Sequence, residues 1–207
     1  MNKLTKPYQI EIAGVGGTGV LTAAHLLGNT ALLEGIKAVQ SEIHGMAQRG
    51  GVVNTEVRLG PVYGSLIPTG EADVLLSFEA AETTRAIKKV RPKTGEVIMN
   101  THKIVPPSLS LKKDAEYPKL EDLLSVIKKF TKNVYPINAF ELAEKTGDIR
   151  TQNVILLGAL YTLPKFPLAM DALKKAVEIR FKGKEDVIEA NFKALELGSK
   201  EMQKQLK

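Results

Sequence analysis

The spacing of apolar residues changes along the chain, and the changes mark out its elements. Residues 8–13, Tyr8-Gln9-Ile10-Glu11-Ile12-Ala13, are apolar enough at their centre to predict a buried strand. Between 20 and 33, Leu21, Ala24, Leu27, Gly28, Ala31 and Leu32 recur at the three- and four-residue spacing of a helix with one apolar face. Gly35 follows, where a left-handed cap would end that helix. Residues 36–40 predict a second strand. Residues 52–59 predict a third, with Val53, Thr55, Val57 and Leu59 alternating against a wetter face. The turn Gly60-Pro61-Val62-Tyr63-Gly64 then predicts a hairpin into residues 65–67.

Short apolar runs at 74–78, 96–100 and 133–137 read as further strands. Helical spacing marks 79–87, 121–131, 138–145, 152–163 and 170–181. Residues 101–119 hold Pro106, Pro107 and Pro118 among lysines and read as a surface excursion. From 185 to 207 one long charged helix places Val187, Ile188, Asn191, Ala194, Leu195, Gly198 and Met202 on one side. The expected fold class is α/β: a Rossmann-like three-layer sandwich with a mostly parallel sheet, an antiparallel hairpin and a long C-terminal helix. The expected organisation is a single domain over 1–207, with 185–207 as a C-terminal helical arm.

Composition narrows the chemistry. The 207 residues include no cysteine, which excludes disulfides, a thiolate-held iron–sulfur cluster and a Cys-type zinc site within the chain. Three histidines, His25, His44 and His102, leave little for a His-based metal site. No apolar run reaches the ~20 residues of a membrane span, and the N-terminus lacks a signal-peptide core, so a cytoplasmic protein without a membrane role is expected. The net charge is +6, but the lysines gather after residue 88 on helices that read as solvated, and aromatics are only 5%. Nucleic-acid binding would want basic residues interleaved with aromatics, so the charge reads as solvation.

Two stretches carry candidate chemistry. Gly14-Val15-Gly16-Gly17-Thr18-Gly19 meets the GxGxxG spacing between a strand and a helix, which places anion-binding backbone N–H groups beside a crevice. In this reading Gly14 permits the turn, Gly16 admits a close approach and Gly19 lets the helix pack on the strand. A dinucleotide would also need an acidic residue ending the second strand. That strand runs Ala38-Val39-Gln40-Ser41, and Glu42 comes late. The second stretch is His44-Gly45-Met46-Ala47-Gln48-Arg49-Gly50-Gly51. It reads either as a polar surface loop or as a rigid rim presenting an imidazole, an amide and a guanidinium to the same crevice. Of the smaller signals, His102 reads as solvated, Asn153 as a cap or a buried hydrogen-bonding residue, and Gly158 as a close packing contact.

Three blocks, GVGGTGVLTA at 14–23, SEIHGMAQRGG at 41–51 and NVILLGAL at 153–160, resemble the gamma-type domain of the 2-oxoacid:ferredoxin oxidoreductases. The family acts on pyruvate and ketoisovalerate as well as on indolepyruvate, and the 44–51 block is most similar to the beta subunit of the indolepyruvate branch. The resemblance implies a chain that binds no cofactor alone and docks on a larger alpha subunit as an alpha–beta heterodimer or its dimer. That alpha subunit carries thiamine diphosphate and iron–sulfur clusters. The complex would decarboxylate an aryl 2-oxoacid, reduce ferredoxin and release an acyl-CoA. Gly16, Gly17, Thr18, Gly19, His44, Gln48, Arg49 and Gly50 are the residues expected at the subunit interface or facing substrate or CoA, in positioning and electrostatic roles. No catalytic residue and no metal ligand is assigned. Thr18 stands where the family usually has Gln. A stand-alone nucleotide-binding oxidoreductase and a purely structural scaffold are the alternative readings.

Overall fold

The computed structural model describes residues 4–44, 51–104 and 116–207. Gln48, Arg49, Gly50 and most of the 101–119 excursion lie outside them. Six strands run β1 (Tyr8–Val15), β2 (Ala38–His44), β3 (Val52–Leu59), β4 (Val74–Ser77), β5 (Glu96–Asn100) and β6 (Val134–Ile137). Seven helices among the described residues are α1 (Val20–Leu33), α2 (Ala80–Ala86), α3 (Leu120–Ile127), α4 (Ala139–Glu144), α5 (Gln152–Leu160), α6 (Met170–Arg180) and α7 (Glu185–Gln205). The sheet order is β2-β3-β1-β4-β5-β6. β1, β4, β5 and β6 form parallel ladders, and β3 runs antiparallel between β1 and β2.

The expected hairpin is therefore corrected. Residues 65–67 form no strand, and the antiparallel partners of β3 are β2 and β1. The segment after β3 is held by side chains instead. Arg58 Nη1 donates to the Gly64 and Leu66 carbonyls at 2.8 and 3.0 Å, and Glu56 accepts the Ile67 N–H. Val62 and Ile67 are buried under this strap, so its apolar anchors are satisfied without a ladder.

Strand alternation builds a core on each face of the sheet. Ile10, Ile12, Val57, Val74, Leu76 and Ile98 face α1 and α4–α7. Ala13, Leu75, Val97 and Met99 meet α2 and α3 on the other side. The long C-terminal helix belongs to the first core and packs on α5. A Cβ at Gly158 would stand 2.3 Å from the Leu195 carbonyl oxygen, and one at Gly198 would stand 1.9 Å from that of Ile155. Two helices cross this closely only where neither carries a side chain.

α1 ends at Gly35 (φ 67°), whose N–H and that of Ile36 reach back to the Leu32 and Ala31 carbonyls, a Schellman arrangement that satisfies the last turn. Its inward stripe is Val20, Ala23, Ala24, Leu26, Leu27, Thr30 and Ala31. Leu32, expected to face inward, is 69% exposed. The helix is apolar around so much of its circumference that spacing alone does not orient it. No helix among the described residues is long and apolar enough to cross a membrane.

Candidate functional site at the carboxyl edge of the sheet

The glycine turn sits where β1 leaves the sheet, and each glycine answers a different demand. Gly14 does not make the turn. It lies inside β1 opposite Val53, where a Cβ would come within 2.8 Å of Phe78 and Val20 side-chain carbons. Gly16 donates its N–H to the Gly51 carbonyl at 2.8 Å, tying the far end of the 44–51 stretch to the turn. The left-handed positions are Gly17 (φ 98°) and Gly19 (φ 87°). Thr18 turns inward on the loop, and both its N–H and its hydroxyl bond the Val15 carbonyl, at 3.2 and 2.8 Å. That hydroxyl braces the turn, a local role for Thr18.

Gly19 links the turn to the most apolar helix of the core. Its missing Cβ would lie 2.7 Å from Asn153 Nδ2 at the start of α5, so the close partner is α5 and not the preceding strand. Asn153 is buried, and its Oδ1 accepts from the Val154 N–H at 2.9 Å. The turn, the end of the 44–51 stretch and the 153–160 block thus meet at one place. His44 is the last residue of β2.

A cleft of about 450 Å³ opens here. Its walls are the glycine turn with Thr22, the 148–153 segment before and into α5, and the α6–α7 connection with Arg180, Phe181 and Lys184. α1 begins without a side-chain cap, so its positive end is open to the cleft. Arg150 is committed to Asp148 through paired bonds of 2.9 and 2.7 Å, which hold the Asp148 carboxyl below its usual pKa. Arg180 and Lys184 make no ion pair among the described residues, and the Arg180 guanidinium lies 5.8 Å from the Phe181 ring. A helix N-terminus, two uncommitted cations and an aromatic edge suit a multiply anionic ligand. Among the described residues no cluster of His, Asp and Glu could hold a metal.

Behind the cleft, Asn100 braces Gln152, which lines it. Its Oδ1 accepts the His102 and Ala139 N–H groups at 3.1 Å each, and its Nδ2 donates to the Phe78 carbonyl and Gln152 Oε1. One amide thereby joins the ends of β4 and β5 to the starts of α4 and α5. In the sequence this residue shows only as a polar end to an apolar run. His102, expected to be solvated, is half-buried and stacks on Phe140 at 4.1 Å. Nothing in the sequence pattern distinguishes Arg180, Lys184 or Asn100 as site residues. The first two sit in a charge-rich stretch that looks like a solvated face.

This geometry agrees with similarity to known proteins. The model of the pyruvate ferredoxin/flavodoxin oxidoreductase family matches residues 9–201, and the chain belongs to that family. Within it, relatives of matching length are indolepyruvate oxidoreductase subunits IorB. The Thermococcus kodakarensis protein is 43% identical over 94% of this chain and 96% of its own length. The Archaeoglobus fulgidus protein is 40% identical over 91% and 92%. Among solved structures, a keto/oxoacid ferredoxin oxidoreductase gamma subunit from Geobacter sulfurreducens superposes with a TM-score of 0.68 at 23% identity, covering 95% of this chain and 99% of that one. The chain is an oxidoreductase subunit of the 2-oxoacid:ferredoxin type.

Proposed function

We propose that the chain is the beta subunit of a cytoplasmic, thiamine-diphosphate-dependent indolepyruvate (aryl 2-oxoacid):ferredoxin oxidoreductase. A larger alpha subunit holds thiamine diphosphate and the iron–sulfur clusters, and ferredoxin is the electron acceptor. The observation that supports this most directly is the meeting of the glycine turn and Asn153 in the wall of a cationic cleft, with the end of the 44–51 stretch tied to the turn by the Gly16–Gly51 hydrogen bond. In this reading the α1 N-terminus, Arg180 and Lys184 receive the phosphates of CoA, and Gly17 and Gly19 let it approach the backbone. His44, Gln48, Arg49 and Gly50 are assigned to contacts with the larger subunit or with substrate. The chain's contribution is binding and electrostatic positioning, with no covalent step on its own residues.

The test is co-expression with the larger subunit, followed by an assay of CoA-dependent ferredoxin reduction by aryl 2-oxoacids. Arg180→Glu and Lys184→Glu are expected to raise KM for CoA at least ten-fold while kcat changes little. An unchanged KM would remove CoA from this cleft. Tight NAD(P)(H) binding by the isolated chain would favour the stand-alone nucleotide reading. Assembly and turnover unaffected by His44→Ala and Arg49→Ala would favour a scaffold.

A further inference from the structure

Two helices carry an asparagine where their neighbouring inward residues are apolar, and both asparagines line the glycine-turn cleft. Asn153 precedes the run Val154–Leu160 on α5. Asn191 heads the inward stripe of Ala194, Leu195, Gly198 and Met202 on α7. The two are only 6% and 5% exposed. Buried amides are normally satisfied within the fold, because an unpaired polar atom has given up water for nothing.

Each of these amides is fixed by one bond and leaves its other polar atom free. Asn153 Oδ1 accepts from the Val154 N–H at 2.9 Å, which leaves Nδ2 beside Gly19. Asn191 Nδ2 donates to the Val187 carbonyl at 2.6 Å, which leaves Oδ1 as an open acceptor. Neither Asn153 Nδ2 nor Asn191 Oδ1 makes a hydrogen bond among the described residues. Neither is among the polar atoms sealed in the core there, such as Glu11 Oε2 and Tyr8 Oη. Asn153 does not cap α5, whose N-cap is Thr151, and Asn191 lies inside α7. A structural role accounts for only half of each amide.

The cleft therefore offers a neutral donor from α5 and a neutral acceptor from α7. A phosphate has only acceptors, so it would satisfy Nδ2 and set its lone pairs against Oδ1. A group that presents an acceptor and an N–H together satisfies both. We propose that Asn153 and Asn191 are ligand-binding residues that read such a group, a secondary amide or an aminopurine edge, apart from the phosphates. The inference rests on the reading of this cleft as the CoA site, and CoA carries both kinds of group. It divides the cleft into a cationic part, at the α1 N-terminus, Arg180 and Lys184, and a neutral part that sets specificity.

The test is calorimetric titration of CoA into the complex with the larger subunit. Asn153→Ser keeps an acceptor for the Val154 N–H but loses the free donor, and Asn191→Ala loses the free acceptor. Each is expected to weaken CoA about three- to ten-fold. Asn191→Ala should leave the Tm of the full chain within about 2 °C of wild type, because the atom it removes has no partner and alanine is the better helix former. Competition by pantetheine and by 3′-phosphoadenosine 5′-phosphate locates the partner: the fragment whose affinity falls in both variants carries the group that is read. Wild-type CoA affinity in both variants overturns the inference, and a fall in Tm with that affinity makes the amides structural. If Arg180→Glu still weakens CoA in that case, the phosphate site stands without the asparagines. If Arg180→Glu is silent too, the CoA reading of the cleft falls with them.

Discussion

The two faces of the sheet are closed by different physics. On one face, α5 and α7 meet at Gly158 and Gly198, and the fit is purely one of shape. On the other, over β1 and β3, the strands bury charge. Glu11 and Glu56 sit opposite each other on β1 and β3, each about 2% exposed. Lys89 donates to Glu56 at 2.7 Å and to the Ile67 carbonyl at 2.6 Å, so one ammonium clamps strand and strap together. Glu11 Oε2 has no hydrogen-bond partner, and burial, reinforced by the neighbouring Glu56, pushes its pKa up to about 8. A seam built on shape fails when atoms are added. A seam built on charge fails when a partner is removed, or when pH changes.

The sharpest way to break the charged face is Lys89→Met, which leaves Glu56 buried beside Glu11 with no cation. A loss of about 3–5 kcal/mol is expected in urea unfolding, with the strap becoming accessible to protease. Next, Gly198→Ala forces a methyl group into the Ile155 backbone. About 2–3 kcal/mol should be lost, seen as a fall of roughly 5–10 °C in Tm, and Gly158→Ala should behave alike.

Glu11→Gln sharpens the contrast through pH. Because the folded pKa lies above the unfolded value of 4.5, the folded chain binds the extra proton between pH 4.5 and about 8. Wild-type stability therefore carries a component that is complete below pH 4.5 and is lost as pH rises to about 8. Glu11→Gln should flatten that slope, gaining on the order of 1–2 kcal/mol over wild type at about pH 8.5 relative to about pH 6, measured by urea midpoints. Gly198→Ala should leave the slope unchanged.

The smallest effect is expected at the turn. Gly17 has φ 98°, and no atom lies within 4 Å of the place a methyl group would take, so Gly17→Ala meets only backbone strain, about 1 kcal/mol by thermal melt. A larger loss would mean that the turn is packed as tightly as the helix seam.

Much of this organisation is readable locally. The strand–glycine–helix opening, the αL cap at Gly35 and the close contact at Gly158 each follow from a few adjacent residues. The hairpin expected into residues 65–67 fails because turn chemistry at Gly60–Gly64 cannot reveal that Arg58, Glu56 and Lys89 take up that segment's backbone groups. The orientation of α1 is blurred by apolar residues around most of its circumference. At the site, the glycine turn is legible, whereas Arg180 and Lys184 are hidden in a charged stretch far along the chain.

By itself the sequence determined the alternation of strands and helices, the places where only glycine serves, the lack of thiolate chemistry and the resemblance that led to the family. Those properties depend on near neighbours, through backbone sterics, apolar spacing and residue type. The tertiary structure alone decided that β3 lies antiparallel between β1 and β2, that Glu11 faces Glu56, that Gly19 admits Asn153 and that Arg180 and Lys184 border the glycine turn. Each joins residues tens or more positions apart, and their proximity is set by how the layers pack.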